Sequence, residues 1–254
     1  MSKKIVPFLF VSGLLVTAPG RAQFPAKSVA LIYESRSKPG ADFEAAAKAH
    51  FAWHKQQNDT WSYSLFQVIS GERTGEYIGG TFGHDWKDFD EHAKFEQADM
   101  ANARETLFPA IESFKTSYWL YRRDLSLNVP EQSGPDPLVE VITFYLKPDA
   151  WMPAVEDVIK KVNDAAKKSN YSIHGGWYQL LNGDDGSQLV LTVGHKTWAD
   201  MQPPNKTFEA MLAEVYGADA THSLFKTFDG SLRRSRSEII QYRPDLSYLP
   251  EPAK

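Results

Sequence analysis

The chain contains no cysteine. Disulfides, thiolate nucleophiles, thioether-attached haem and cysteine-ligated zinc are therefore excluded, and stability has to come from burial. An excess of positive charge is missing too: 28 Lys and Arg stand against 32 Asp and Glu, a net charge of -4. A nucleic-acid partner normally leaves a basic patch, so none is expected. The short basic run Arg233-Arg234-Ser235-Arg236 reads as a solvated edge before a strand. There is no phosphate-binding glycine loop, no Gly-x-Ser-x-Gly elbow and no dinucleotide fingerprint. Past the first twenty or so residues, no apolar run is long enough to span a bilayer.

The N-terminus is the first positive signal. Lys3-Lys4 precede an apolar stretch from Ile5 to Ala18, broken by Pro7 and Gly13. Gly20-Arg21-Ala22 then place small residues before a cut at Gln23. Residues 1–22 have the form of a secretory signal peptide, so the expected location is secreted or periplasmic, with no membrane span after signal removal.

The second signal is an internal repeat. Gly79-Gly80-Thr81-Phe82-Gly83-His84-Asp85-Trp86 is echoed by Leu191-Thr192-Val193-Gly194-His195-Lys196-Thr197-Trp198. In the same order, Lys38-Pro39-Gly40-Ala41 matches Lys147-Pro148-Asp149-Ala150, and Phe66-Gln67-Val68-Ile69 matches Tyr178-Gln179-Leu180-Leu181. Tyr121-Arg122-Arg123-Asp124 matches Tyr242-Arg243-Pro244-Asp245, with each Arg expected to pair with its nearby Asp and close a sheet.

Periodicity and turn residues order the first unit, residues 28–126. A strand is expected over 28–35, a helix over 41–57, and strands over 62–70 and 76–84. A mostly helical stretch over 86–114, broken near Pro109, and a strand over 116–123 complete it. Residues 127–137, with three prolines and a glycine, read as an extended linker outside both cores. The second unit, residues 138–247, repeats the order, with a strand over 138–146, a helix over 151–168 and a last strand over 237–243. Each half is thus β-α-β-β-α-β, the ferredoxin-like order of an α+β fold. The strands are apolar on both faces, as Leu138 to Leu146 shows, so the face away from the helices is covered as well.

In this element order, these doubly apolar strands and this tandem duplication, the chain resembles the dimeric α+β barrel superfamily. That group includes antibiotic-biosynthesis-type monooxygenases, haem-degrading monooxygenases, chlorite dismutase-like haem proteins and stress-responsive barrel proteins. The resemblance covers about residues 28–247. It implies two ferredoxin-like sheets facing each other, here supplied by one chain, and a small-molecule ligand. It also implies the option of monooxygenase activity with no cofactor. No motif matches a haem ligand of the group, and fold alone does not fix activity.

The first helix carries the candidate chemistry. At about 100° per residue, Ala47, His50 and His54 share the apolar face centred on Phe43. By the Lys-Pro-x-Ala register the second unit has Ile159 and Asn163 where the first has His50 and His54, so one half keeps polar groups where the other has core. Candidate catalytic residues are His50, His54 and His84, since histidine serves as acid, base or ligand near neutral pH. Candidate ligand-binding residues are Tyr33, Phe51, Tyr63 and Trp177. Each has a plain alternative: a histidine pair bonded at the core edge, Gly-His as a turn device, Trp177 as ordinary packing. His-x-x-x-His without an intervening Glu, and with no evident carboxylate partner, assigns no metal. Three readings stay open. One is a secreted protein that binds, and as a cofactor-free monooxygenase oxidises, a small apolar or aromatic molecule. The others are a non-catalytic exported binding or assembly protein, and a haem or metal barrel. A homo-oligomer is compatible with each.

Overall fold

Alternating strand and helix signals resolve into two successive units in the computed structural model, which describes residues 26–129 and 134–250. The signal-peptide segment and part of the linker lie outside the described residues. Unit one contains β1 (Val29–Ser37), α1 (Phe43–Gln56), β2 (Ser64–Ser70), β3 (Tyr77–His84), α2 (Trp86–Thr106) and β4 (Ile111–Tyr121). Unit two contains β5 (Leu138–Leu146), α3 (Met152–Lys168), β6 (Gly176–Asn182), β7 (Gln188–His195), α4 (Phe208–Tyr216), α5 (Ala218–Ser231) and β8 (Leu232–Tyr242).

The strands form one closed barrel in the order β1-β3-β2-β8-β5-β7-β6-β4. Each unit supplies four adjacent strands, and the two four-stranded sheets face each other across the interior. They also join at both edges, β2 to β8 (Val68 opposite Ile240) and β4 to β6 (Tyr121 opposite Tyr178). Closure leaves no unpaired edge, which removes a template for aggregation. It also explains the doubly apolar strands. Phe66, Val68 and Ile240 fill the barrel interior with Val139 and Val141. The opposite faces lie under the helices, where Leu65 and Tyr77 meet Phe43 and Ala47 of α1, and Trp177 and Leu189 meet Val155 and Ile159 of α3.

Two strands begin earlier than the local sequence suggests. The stretch read as helical to Phe114 ends at Thr106, and Pro109 sits in a short 3-10 turn before β4 starts at Ile111. The first half of β4 is solvent-facing and weakly patterned, but β1 offers hydrogen bonds along its whole length, out to Ser37 opposite Ile111. Pairing with a preformed edge outweighs propensity there. For the same reason β8 starts at Leu232, opposite Leu146, and the basic run lies within the strand. Arg234 stacks over the Tyr145 ring at 3.9 Å.

Each unit ends by latching onto the other. Arg122 pairs with Asp124, as expected, and also with Glu156 of α3 and Gln179 of β6. Arg243 likewise pairs with Asp245, Glu44 of α1 and Gln67 of β2. Behind the arginines, Leu125 is buried against Val155 and Ile159, and Leu246 against Phe43 and Ala47. Leu127, placed by sequence at the start of the linker, is buried against Ala165 and Met211 instead. Full burial of one such leucine contributes about 1.5–3 kcal/mol.

Candidate functional site

The matched latches fix how the two halves correspond. Glu44 takes the place of Glu156 and Gln67 that of Gln179, which sets His50 against Val162 and His54 against Ala166. The Lys-Pro-x-Ala register is off by three residues because α3, at 17 residues, is three longer than α1, at 14. The asymmetry survives the correction. Unit two is apolar at both positions where unit one carries buried imidazoles.

α1 is started by Asp42, whose side chain accepts from the Ala45 N–H, and its buried face is Phe43, Ala47, His50 and His54. One turn apart on the helix, the two histidines reach a common point. Their Nε2 atoms are 3.2 Å apart. α2 brings Asp99 to the same point, with Oδ1 3.2 Å from each Nε2. The other ring nitrogens face outward to fixed partners. His50 Nδ1 is 2.9 Å from Asn102 Oδ1, and His54 Nδ1 is 2.8 Å from Asp59 Oδ2.

Asp59 reaches the site because the chain reverses directly after α1. Asn58 takes a left-handed conformation (φ 54), and the Asp59 N–H returns to the His54 carbonyl. The carboxylate then accepts from the Trp61 N–H at 3.0 Å and sits 3.0 Å from His92 Nε2. Tyr248, from the end of unit two, donates to the Asp59 carbonyl at 2.7 Å. The site in unit one is thus closed by a residue of the other unit.

Charge in the cluster is held by these contacts. Burial works against ionising Asp99, but the imidazoles of His50 and His54 beside it hold its pKa at about 2. Burial likewise opposes a charged His54, yet Asp59 and Asp99 outweigh it and raise the ring's pKa. Asp59 is buried too, and His54, His92 and the Trp61 N–H hold it far below the usual carboxylate range. Glu96, nearby on α2, moves the other way, raised by burial and by the Asp99 charge. Burial also raises Tyr33 and Tyr63, so both remain neutral phenols.

A cavity of about 80 Å³ lies between α1, α2 and the sheet. His50, His54, Tyr33, Phe51 and Tyr63 all line it, together with Asp99 and Glu96. Two other candidates lie elsewhere. His84 is 2.6 Å from Thr81 Oγ1, and its ring stacks on Trp61 at 3.8 Å. Trp61 in turn stacks on His92 at 4.0 Å, so His84 touches the outer edge of the cluster and not the cavity. Trp177 packs on Phe144 in unit two and lines a separate cavity of about 500 Å³ under α3. The buried His195 also lines that cavity, and neither of its ring nitrogens has a partner.

Asp59, His92, Asp99 and Asn102 were not singled out from sequence. On α2, His92, Glu96, Asp99 and Ala103 recur at helical spacing, a core-facing stripe that polar residues disguise as a solvated face. Among the described residues, His50, His54 and Asp99 are the one group of His, Cys, Asp or Glu side chains close enough to hold a metal ion. The carboxylate partner not evident in sequence is supplied by α2.

No protein-family model and no curated protein matches the sequence. Solved structures do match its shape. An anthrone oxidase-like protein superposes with a TM-score of 0.53 at 10% identity, over 85% of this chain and 92% of its own. A putative monooxygenase from Lactobacillus acidophilus gives 0.52 at 10% identity, over 88% and 97%. A chlorite dismutase variant from Candidatus Nitrospira defluvii gives 0.54 at 11% identity, over 87% and 94%. The chain has the dimeric α+β barrel fold, with both halves in one polypeptide.

Proposed function

We propose that this protein is an exported enzyme that oxidises a small apolar or aromatic molecule in the unit-one cavity. One observation carries the reading: an imidazole oriented by a buried carboxylate, His54 on Asp59, turns its second nitrogen toward an aromatic-lined cavity beside His50 and Asp99. A base held by an orienting partner is the arrangement that proton abstraction needs. The anthrone oxidase-like and monooxygenase neighbours support an oxidation of that kind. A benzylic CH₂ next to a carbonyl-bearing ring loses a proton to the centre, and the resulting carbanion reacts with dioxygen. The balance is one CH₂ and one O₂ to one C=O and one H₂O. Neutral Tyr33 and Tyr63 are placed to donate to the ionised substrate oxygen, and the Tyr63 hydroxyl has no partner within the protein.

At about 80 Å³ the cavity admits dioxygen or several waters, so an aromatic substrate requires α2 to swing outward. α2 suits that role, because Ala103 is the one buried residue along its 21. The test is oxygen uptake with anthrones and electron-rich phenols by the mature protein, compared with His54→Ala. Uptake that His54→Ala abolishes while the circular dichroism is unchanged is expected. Uptake indifferent to His54, or none across the panel, overturns the proposal and leaves the exported binding protein.

A second reading has its own support. The unit-two cavity lies within the ~300–1,000 Å³ range of sites for larger ligands, and His195 offers it an unpartnered imidazole. Haem reconstitution followed by an absorption spectrum tests it. A Soret band lost in His195→Ala is expected if haem binds there, and no band ends the reading.

A further inference from the structure

We infer that His50, His54 and Asp99 bind a divalent first-row transition-metal ion. The argument begins with which groups donate. The Asp59 carboxylate, which already accepts from the Trp61 N–H, lies 2.8 Å from His54 Nδ1 and accepts its N–H, and Asn102 Oδ1 occupies the same position for His50. Both imidazoles therefore spend their ring N–H outward and turn the Nε2 lone pairs inward. Asp99 Oδ1 faces the same point; it is buried and makes no hydrogen bond of good geometry, although both Nε2 atoms lie 3.2 Å away. Three acceptors around one point repel unless a proton or a metal ion joins them, and a metal ion joins all three at once.

The spacing selects the cation. Metal–nitrogen and metal–carboxylate bonds are about 2.1 Å, so ligand atoms 3.2 Å apart subtend about 100° at the ion. That lies between octahedral and tetrahedral values. Two imidazoles and one carboxylate on one face, with the cavity on the other, leave positions open for water, dioxygen or substrate. The outer contacts also fit. Metal-bound histidines typically donate their second N–H to a carboxylate or carbonyl-type oxygen, as both do here. Asn102 is itself held by Thr106 Oγ1, and Asp59 by Trp61 and His92. The fold does not require the arrangement, since Val162 and Ala166 occupy the equivalent places in unit two.

The inference rests on the proposed role of this cavity only for its location. It alters what serves as proton acceptor: an ion-bound hydroxide in place of a bare imidazole. Metal binding is measured without turnover. The full mature chain, stripped with chelator, is titrated with Zn²⁺ by calorimetry and with Co²⁺ by visible absorption. One ion per chain is expected, with Co²⁺ bands of a nitrogen- and oxygen-ligated site. His50→Gln and Asp99→Asn should each weaken binding by more than about 100-fold, and Asp59→Asn by about 10–100-fold. Zn²⁺ should raise the melting temperature of the unaltered protein and not of Asp99→Asn, which reports on the site even where a variant is less stable. His222→Ala, on an exposed helix face, should bind normally. No stoichiometric ion, or binding that Asp99→Asn and His50→Gln leave intact, overturns the inference. Oxygen uptake that depends on His54 in an ion-free protein sinks the inference alone. A bound ion with no uptake sinks the proposed oxidation alone.

Discussion

Replacing Asp59 with alanine should remove a large part of this protein's stability, although the change deletes only one carboxylate. The Asp59 side chain is 1% exposed and is shared by three donors: His54 Nδ1, His92 Nε2 and the Trp61 N–H. An unpartnered buried donor costs about 1–3 kcal/mol. The sum is not fully realised, because water admitted by the smaller side chain can reach His92, at the edge of the cluster. Breaking a buried charged pair by removing one member costs about 3–5 kcal/mol, and that range applies here. With a urea m-value of about 3 kcal/mol/M, the unfolding midpoint falls by about 1–1.7 M. Asp59→Asn, which retains one acceptor oxygen and adds a misdirected donor, should fall between. Asp245→Ala sets the scale for an exposed partner and should lose under about 1 kcal/mol. The assay is urea unfolding followed by circular dichroism and tryptophan fluorescence. A midpoint shift below about 0.3 M for Asp59→Ala, under about 1 kcal/mol, would refute the claim that this carboxylate organises the cluster.

Inside the barrel, Arg73 binds both oxygens of Glu238, which is 1% exposed, and also Glu34. Arg73→Met should cost about 3–5 kcal/mol by leaving the buried Glu238 only its longer contact to Arg236 Nε at 3.4 Å, and Arg73→Met with Glu238→Leu should recover most of it; a double-mutant cycle with no coupling would contradict the reading. Burial lowers the pKa of His84 below its usual 6.5, against the pull of Asp88. The unfolded chain then binds the extra proton more readily, so the stability due to a neutral His84 is present above about pH 6.5 and declines as pH falls toward the folded value. His84→Gln should flatten that part of the stability profile, and an unchanged profile would count against it. Residues 26–129 expressed alone expose the β2 and β4 edges and should self-associate; a stable monomer by light scattering would be inconsistent with the closed barrel.

The sequence by itself determined the duplicated β-α-β-β-α-β order, the second covered face of the strands, and the buried position of His50 and His54. All three follow from local periodicity, because 3.6- and 2-residue repeats state which face of an element is apolar. It also placed Phe51 beside those histidines on the same helix, and Tyr33 and Tyr63 on the sheet which that helix covers. Periodicity does not state which buried faces meet. Asp99 and Asn102 lie about 50 residues from the histidines they touch, on a helix whose polar stripe resembles a wet surface. Asp59 is five residues from His54, but only the left-handed Asn58 turns it back under the helix. The exclusion of His84 from the cavity depends on Trp61 standing between it and the cluster, and that of Trp177 on the half of the barrel to which β6 belongs. The early starts of β4 and β8 were set by hydrogen bonds from β1 and β5, and the true register of the two halves by arginines crossing between units. Those are long-range contacts, and only the closed barrel brings their partners together.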